Sequence, residues 1–396
     1  MKPGWVVRKL GEVAAVSAGN SAPQEKARFV DGTIPFFRTA DAGRIRFGEI
    51  SEAADYLNEA GSRGLRRFLP GTILFPKSGA STFLNHRVIL TVEGCVSSHL
   101  ATIVVHEGSA DAKYVLYFLS TVAAQDLVQD HSYPSLNLPT IAEIPIPLPP
   151  LAEQRRIVAI LDEAFAAIAT AQADAERNLQ NARALFESRL HQVFTQRGEG
   201  WVEKNLVDVT KEFGRGKSKH RPRNDPKLYN GPHPFIQTGD ISNAEHWLTD
   251  YTQTYSELGL AQSRLWPRGT VCIAIVGATV GETAVLDFEC CFPDSVIGIV
   301  VNEELSDCEY LEYLLRSFKT LLREKAKGTA RDNINLATFN NQMFPFPPLS
   351  KQKEVVSTLN SLSAETQRLA SIYERKLAAI AELKKSLLHQ AFAGEL

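Results

Sequence analysis

Cysteine is scarce in this 396-residue chain, with five residues, Cys95, Cys272, Cys290, Cys291 and Cys308, and no C-x-x-C spacing. Five thiols cannot all pair within one chain, so neither a disulfide framework nor a thiolate zinc site is indicated. Such usage points to a reducing cytoplasm. Long apolar runs are also missing: none approaches the roughly 18 residues that span a bilayer, and the start Met1-Lys2-Pro3-Gly4-Trp5 has no apolar signal core. No membrane role is expected. The net charge of −2 lacks the general basic excess of a protein that coats nucleic acid without regard to sequence.

Catalytic signatures are equally thin. The nine histidines form no H-E-x-x-H or H-x-x-x-H pair, so no metal site is expected. No G-x-S-x-G elbow occurs. Phe213-Gly214-Arg215-Gly216-Lys217-Ser218 resembles a phosphate-binding loop, but that motif needs a glycine where Lys211 stands. A methyltransferase would need a donor-binding glycine motif and an N-P-P-Y or D-P-P-Y tetrapeptide, and neither is present. The chain is expected to carry no reaction centre and no cofactor.

What the sequence does contain, it contains twice. Gly4-Trp5-Val6-Val7-Arg8-Lys9-Leu10 returns 196 residues later as Gly200-Trp201-Val202-Glu203-Lys204-Asn205-Leu206. Leu148-Pro149-Pro150-Leu151-Ala152-Glu153-Gln154 returns 198 residues later as Phe346-Pro347-Pro348-Leu349-Ser350-Lys351-Gln352. Nearly the whole chain therefore falls into two copies of one unit, and the 44% apolar content suffices for two or three cores. Each copy opens with a mixed segment in which β-branched and aromatic runs alternate with Gly, Pro and Asn. Strands are predicted at Ile34 to Phe37, Thr72 to Phe75, Thr102 to Val105, Thr270 to Val276 and Val296 to Val301. Short helices are predicted at Lys113 to Leu127 and Cys308 to Lys325.

Each mixed segment closes on a proline cluster, Ile144 to Pro150 or Phe344 to Pro348, followed by a long proline-free stretch that predicts a helix. In the second helix apolar residues alternate at spacings of four and three: Val355, Leu359, Leu362, Leu369, Tyr373, Ile380, Leu383 and Leu387, with Thr366 and Lys376 polar in register. The corresponding first seam is alanine-rich: Ile157, Leu161, Ala164, Ile168, Ala171, Ala175, Asn178, Ala182, Leu185 and Arg189. Stripes this thin would not hold either helix alone, so the two are expected to pack on each other. If a local two-fold axis relates the copies, the helices run antiparallel. Forty residues then form a rod of about 60 Å, a ruler between two mixed domains; the plainer alternative is a helical hairpin serving only as a spacer.

Between strands the two copies carry polar loops at like positions. The first has Arg38-Thr39-Ala40-Asp41, Lys77-Ser78-Gly79-Ala80-Ser81 with His86-Arg87, Ser97-Ser98-His99 and Ser132-Tyr133-Pro134-Ser135-Leu136-Asn137. The second has Gln237-Thr238-Gly239-Asp240, Gly277-Ala278-Thr279-Val280-Gly281, Pro293-Asp294-Ser295 and Thr329-Ala330-Arg331-Asp332-Asn333. Arg, Lys, Asn and Gln can bond base edges, and small residues let the backbone reach phosphates. A common frame bearing different polar groups suits two readers of different sequences; the alternative for each loop is a turn that satisfies its own backbone. Residues 211 to 227 carry a local excess of five positive charges in a Gly- and Pro-rich loop, which could follow phosphates or be solvated.

These features resemble the DNA specificity subunit of type I restriction-modification enzymes over essentially the whole chain. The marks are the G-W-x-x-x-x-L opening of each half, the two P-P-L helix starts, and the tail Ser386-Leu387-Leu388-His389-Gln390-Ala391-Phe392-Ala393-Gly394-Glu395-Leu396, echoed by Ser188-Arg189-Leu190-His191-Gln192-Val193-Phe194. The resemblance implies an α+β chain with two mixed α/β target recognition domains, at residues 1–148 and 198–346. They would be joined by two long antiparallel helices forming a pseudo-two-fold coiled coil, at residues 149–197 and 347–396. Each domain would read half of a split, asymmetric site in double-stranded DNA while the helices set the gap. By the same resemblance two methyltransferase subunits dock on the chain, a restriction subunit joins them, and S-adenosylmethionine binds those partners. Ser78-Gly79-Ala80-Ser81 departs from the fuller Gly277 to Gly281 loop of the second copy.

The expected DNA-binding residues are Arg38, Thr39, Lys77, Ser78, Ser81, Arg87, His99, Tyr133 and Ser135 in the first half. In the second they are Gln237, Thr238, Thr279, Arg331, Asp332 and Asn333, with Lys217, Lys219, Arg221 and Arg223 on phosphates. Other readings are an enzyme with its own recognition domains, a coiled-coil adaptor without a nucleic-acid role, and a specificity chain serving a methyltransferase alone.

Overall fold

The structure is a computed structural model that describes residues 4–128, 134–196, 198–327, 334, 336–340 and 342–396. Two compact units divide the chain: Met1–Ala175 with Arg375–Leu396, and Glu176–Glu374. Each therefore owns one mixed segment and a portion of both long helices.

In the first unit a five-stranded sheet has the spatial order Ala14–Ala18, Leu100–Val105, Ile73–Pro76, Arg87–Leu90, Phe47–Ile50. The strand Ile73–Pro76 is buried along its whole length, because both sheet faces are covered, and it reads in sequence as a continuous apolar run. The strand period of two divides its side chains. Ile73 and Phe75 join Ile89 and Ile103 in a core under the helix Ala112–Thr121, whose Tyr114, Val115 and Leu119 are buried there. Leu74 joins Val88, Leu90 and Leu100 in a second core against Phe37, Phe68 and Val96, which belong to a four-stranded sheet ordered Asp55–Leu57, Ile34–Phe37, Gly94–Val96, Arg67–Phe68. A ribbon of Val6–Lys9 and Pro145–Leu148 closes the unit.

The second unit repeats this plan strand for strand. Its five-stranded sheet is Thr210–Arg215, Val296–Val301, Val271–Ala274, Thr283–Leu286, Trp247–Leu248; its four-stranded sheet is Gln253–Tyr255, Tyr229–Phe235, Cys290–Cys291, Leu265–Trp266. The ribbon pairs Val202–Lys204 with Phe344–Phe346. Val271, Ile273, Ile297 and Ile299 pack under the helix Cys308–Ser317, and Cys272, Ala284, Leu286 and Val296 face Ile236, Trp266 and Phe292. The predicted strands all occur. The predicted short helices are each divided: Ala112–Thr121 is followed by a 3₁₀ turn at Ala124–Asp126, and Cys308–Ser317 by a second helix, Lys319–Lys327.

Both long helices extend over 45 residues, Leu151–Thr195 and Leu349–Ala393, each starting directly after a Pro-Pro pair that cannot itself continue a helix from the preceding turn. The second stops at Gly394, whose φ of +81° suits glycine, with the Glu395 amide returning to the Gln390 carbonyl at 2.8 Å. Within the first unit Arg156 reaches the Leu396 carbonyl at 2.7 Å and Phe165 lies 5.0 Å under Lys384, so the helix segments run antiparallel. Within the second, Arg183 meets Glu374 at 2.8 Å, while Phe186 and Leu190 share a core with Leu359 and Val355.

Burial along the two helices follows the predicted spacing at most of its positions. Ile157, Leu161, Ile168, Val355 and Leu359 are buried, and Leu362, Leu369, Tyr373, Ile380 and Leu387 are half-buried. Leu185 and Leu383 depart from that pattern, each being 50% exposed. At the C-terminal end of each helix the buried face also meets the sheet-bearing part of the unit. Spacing changes accordingly to Ala182, Phe186, Leu190 and Phe194 in the first helix, with Phe186 against Tyr313 and Phe194 against Tyr310. In the second, Lys384 replaces Leu383, and Phe392 packs edge-on against Tyr114 and Phe118. The repeated His-Gln-x-Phe echo is thus an anchoring motif, its phenylalanine seated among aromatic rings.

Candidate nucleic-acid interface

In the first unit several predicted loops converge at the ends of neighbouring strands. The Lys77 amide donates to the His99 carbonyl at 3.0 Å, and the Leu136 amide to the Lys77 carbonyl at 2.8 Å. Ser78 bridges Ser135, and Ser81 Oγ donates to the Ser78 carbonyl at 3.0 Å. These backbone ties bring Lys77, Ser78, Ser81, His99 and Ser135 into one rim, with His99 and Ser135 exposed. Arg38 and Thr39 join from the adjoining sheet, because the Ser97 amide donates to the Phe37 carbonyl at 2.8 Å. Gly19 passes beneath the same turn: a Cβ there would stand 2.2 Å from the Val96 carbonyl. Tyr133 lies outside the described residues.

Arg87 does not belong to this rim. Its side chain is fully buried, stacked 3.5 Å over the Phe75 ring, with Nη1 donating to the His86 carbonyl at 2.8 Å. Burial pushes its pKa down to about 9. A guanidinium held this way cannot reach a base, so Arg87 is a core residue. The sequence suggested otherwise because an arginine at the start of a strand is usually solvated, whereas this one is covered by the helix segment around Val122.

The second unit assembles the equivalent rim by equivalent bonds. Ile275 donates to the Ser295 carbonyl and Ile334 to the Ile275 carbonyl, both at 3.0 Å. Gly216 takes the place of Gly19, a Cβ standing 2.2 Å from the Phe292 carbonyl. Thr279 Oγ1 donates to the Val276 carbonyl at 3.1 Å, and Gln237 and Thr238 open the short helix Thr238–Asn243. Arg331, Asp332 and Asn333 lie outside the described residues. The basic loop leaves Lys217, Lys219, Arg221 and Arg223 exposed. Its backbone is fastened by Gln262, whose Oε1 accepts from the Lys219 and His220 amides at 2.6 and 3.1 Å. Among the described residues Lys217 and Lys219 have no carboxylate partner, while Arg223 is held by both Asp294 oxygens at 2.9 Å.

Two structural glutamines and one titratable cluster escaped notice in the sequence. Gln154 and Gln352, the last residues of the repeated proline motif, are buried connectors. Gln154 Nε2 donates to the Pro149 carbonyl at 2.9 Å and its Oε1 accepts from Asp111 at 2.9 Å. Gln352 repeats both bonds with Pro347 and Asp307, at 2.9 and 3.0 Å, and adds the Leu305 carbonyl at 3.1 Å. Their recurrence in both copies was the available signal. His246 is stacked on Tyr313 at 4.2 Å and bonded to Glu312 and Glu309 at 2.6 and 3.1 Å. Burial would lower its pKa, but the two carboxylates more than offset this and the net shift is upward. In the first unit Phe47 lies beside Tyr117, with the ring centroids 5.3 Å apart.

Among the described residues no cluster of three or more His, Cys, Asp or Glu could hold a metal ion, and no helix is long and apolar enough to cross a membrane. Rims of exposed amide, hydroxyl and cationic groups on rigid strands can donate and accept hydrogen bonds toward a polyanion. The family model described as type I restriction modification DNA specificity domain matches this chain twice, over residues 2–177 and 198–374. The type I restriction enzyme EcoBI specificity subunit of Escherichia coli is 25% identical over 291 residues, covering 66% of this chain and 60% of that protein. The MjaIX specificity subunit of Methanocaldococcus jannaschii is 21% identical over 428 residues, covering 99% and 93%. A solved structure from work on complex assembly and conformational transition of the type I R-M system aligns with a TM-score of 0.82 at 21% identity, over 100% of this chain and 99% of that one. The HsdS subunit from Thermoanaerobacter tengcongensis aligns with a TM-score of 0.62 at 21% identity, over 100% and 98%.

Proposed function

The chain belongs to the type I restriction-modification DNA specificity family, and from that premise we propose that its two mixed domains each read one half of a split, asymmetric site in double-stranded DNA. Recognition domains at residues 1–148 and 198–346 do the reading, and the helical regions at 149–197 and 347–396 fix the gap. The chain itself is non-catalytic and works in the cytoplasm. Two methyltransferase subunits dock on it and bring S-adenosylmethionine to a target adenine, and restriction subunits add cleavage.

One observation carries this reading: the same rim of strand ends is built twice by the same backbone bonds, yet bears different polar side chains each time. A shared frame with distinct surface chemistry is what two base readers of unlike half-sites require. Thr39, Lys77, Ser78, Ser81, His99, Tyr133 and Ser135 face the first half-site, and Gln237, Thr238, Thr279, Arg331, Asp332 and Asn333 the second. Lys217, Lys219, Arg221 and Arg223 lie along phosphates, where each contact adds sequence-independent, salt-sensitive affinity.

The test is methylation-site sequencing of a host carrying this chain with its methyltransferase, before and after a four-residue insertion near Gln172. The gap between half-sites should lengthen while both half-sites stay unchanged. An altered half-site, or an unaltered gap, would refute the division of labour between domains and helices.

A further inference from the structure

One pair of side chains changes between the two units while its backbone setting does not. In the first unit Arg38 follows the strand Ile34–Phe37, and its Nε donates to Asp55 Oδ2 at 2.6 Å. In the second, Gln237 follows Tyr229–Phe235, and its Nε2 donates to Gln253 Oε1 at 2.7 Å. Asp55 and Gln253 hold the same place in the ladder, opposite Phe36 and Phe235 respectively. The frame around each pair is also the same. The amides of Arg38 and Gln237 donate to Asp41 and Asp240 at 2.8 and 2.7 Å. The other oxygen of each aspartate accepts from the residue preceding the pair's second member, from the Ala54 backbone amide at 2.8 Å and from the Thr252 hydroxyl at 3.3 Å.

Backbone bonds and the two aspartates hold this corner, so folding alone does not require the pair to be an ion pair in one unit and an amide pair in the other. Both members have nonetheless changed together. Both pairs are solvent-accessible, with Arg38 and Asp55 38% and 40% exposed, and both adjoin the rim described above. A phosphate anchor would call for a cation in each unit, and the second unit offers a neutral amide.

Building on the DNA-reading role proposed above, we propose that Arg38–Asp55 and Gln237–Gln253 are homologous base-reading pairs, Arg38 taking a guanine in one half-site and Gln237 an adenine in the other. Asp55 occupies Nε and the Phe36 ring lies 5.1 Å below the guanidinium. Among the described residues the two terminal nitrogens of Arg38 have no hydrogen-bond partner, and they form the fork that fits guanine O6 and N7. Gln253 accepts one N–H of Gln237, leaving the other N–H and Oε1 for adenine N7 and the adenine amino group. Asp55 and Gln253 are positioning residues.

The experiment exchanges the pairs in the full chain, co-expressed with its methyltransferase, and sequences methylation sites in the host. Arg38→Gln with Asp55→Gln should convert one G·C position of one half-site to A·T, with the preference between the two reversed by roughly 5- to 150-fold in each direction. The other half-site should be unchanged, which also reports that the variant folds. Gln237→Arg with Gln253→Asp should make the reciprocal change in the other half. If the first exchange abolishes methylation, the reciprocal one decides. Unchanged motifs, or changes in both halves, would overturn the pair assignment while leaving two-domain reading intact. A wild-type motif that is not split would overturn that reading and the pair with it.

Discussion

Gln352→Leu tests whether the repeated proline motif exists to fasten each long helix to its unit. The replacement is similar in shape but removes three hydrogen bonds, from the Asp307 amide and to the Leu305 and Pro347 carbonyls. Gln352 is fully buried, so the groups left behind are poorly placed to recover water. Each orphaned backbone group costs about 1–3 kcal/mol, and the added apolar burial of leucine returns about 1.5 kcal/mol. The net loss should be about 1.5–7.5 kcal/mol, confined to the second unit. Urea unfolding followed by tryptophan fluorescence can localise it. Trp201, Trp247 and Trp266 report on the second unit, and a parallel variant with those three replaced by phenylalanine leaves Trp5 to report on the first. A loss below about 1 kcal/mol, or an equal loss at Trp5, would refute the reasoning. Gln154→Leu should reverse the pattern with a smaller loss, having two bonds to lose.

Arg87→Met should leave the methylated sequence unchanged and shift unfolding by no more than about 1 kcal/mol in the destabilising direction, since an apolar side chain of similar volume often replaces a buried charge without loss; a changed half-site would restore Arg87 as a reader. His246 has a raised pKa in the folded state, so its contribution is fully present below its unfolded value of about 6.5 and is lost as pH rises through the higher folded value. The urea midpoint of the second unit should therefore fall from pH 6 to pH 8, and His246→Gln should flatten that decline; parallel curves for the two proteins would count against the Glu309–Glu312 assignment. Lys219→Ala should weaken binding to all sequences alike and reduce the slope of log affinity against log salt by about one, measured by fluorescence anisotropy on duplex DNA. A loss restricted to one sequence would make Lys219 a base reader instead.

Much of this protein could be read from periodicity and repetition. The proline-free stretches after Pro149-Pro150 and Pro347-Pro348 are the long helices, and the apolar run around Ile73 is a buried central strand. Internal duplication implied paired units, and both carry one sheet order. These properties are local, or are repeated within the chain, so residue order suffices to reveal them. Burial and side-chain partnership come from segments distant in sequence. Leu185 and Leu383 fit the seam spacing, but the buried face turns toward Tyr313 and Tyr114 before reaching them. Arg87 looked like a surface cation until the segment around Val122 covered it. The pairing of Arg38 with Asp55, and of Gln237 with Gln253, arises because antiparallel ladders set those residues side by side. Sequence determined the elements and their duplication through local backbone preference and hydrophobic spacing. Only the tertiary structure decided which polar groups are sealed in the core and which remain paired at the rim, because both depend on long-range contacts.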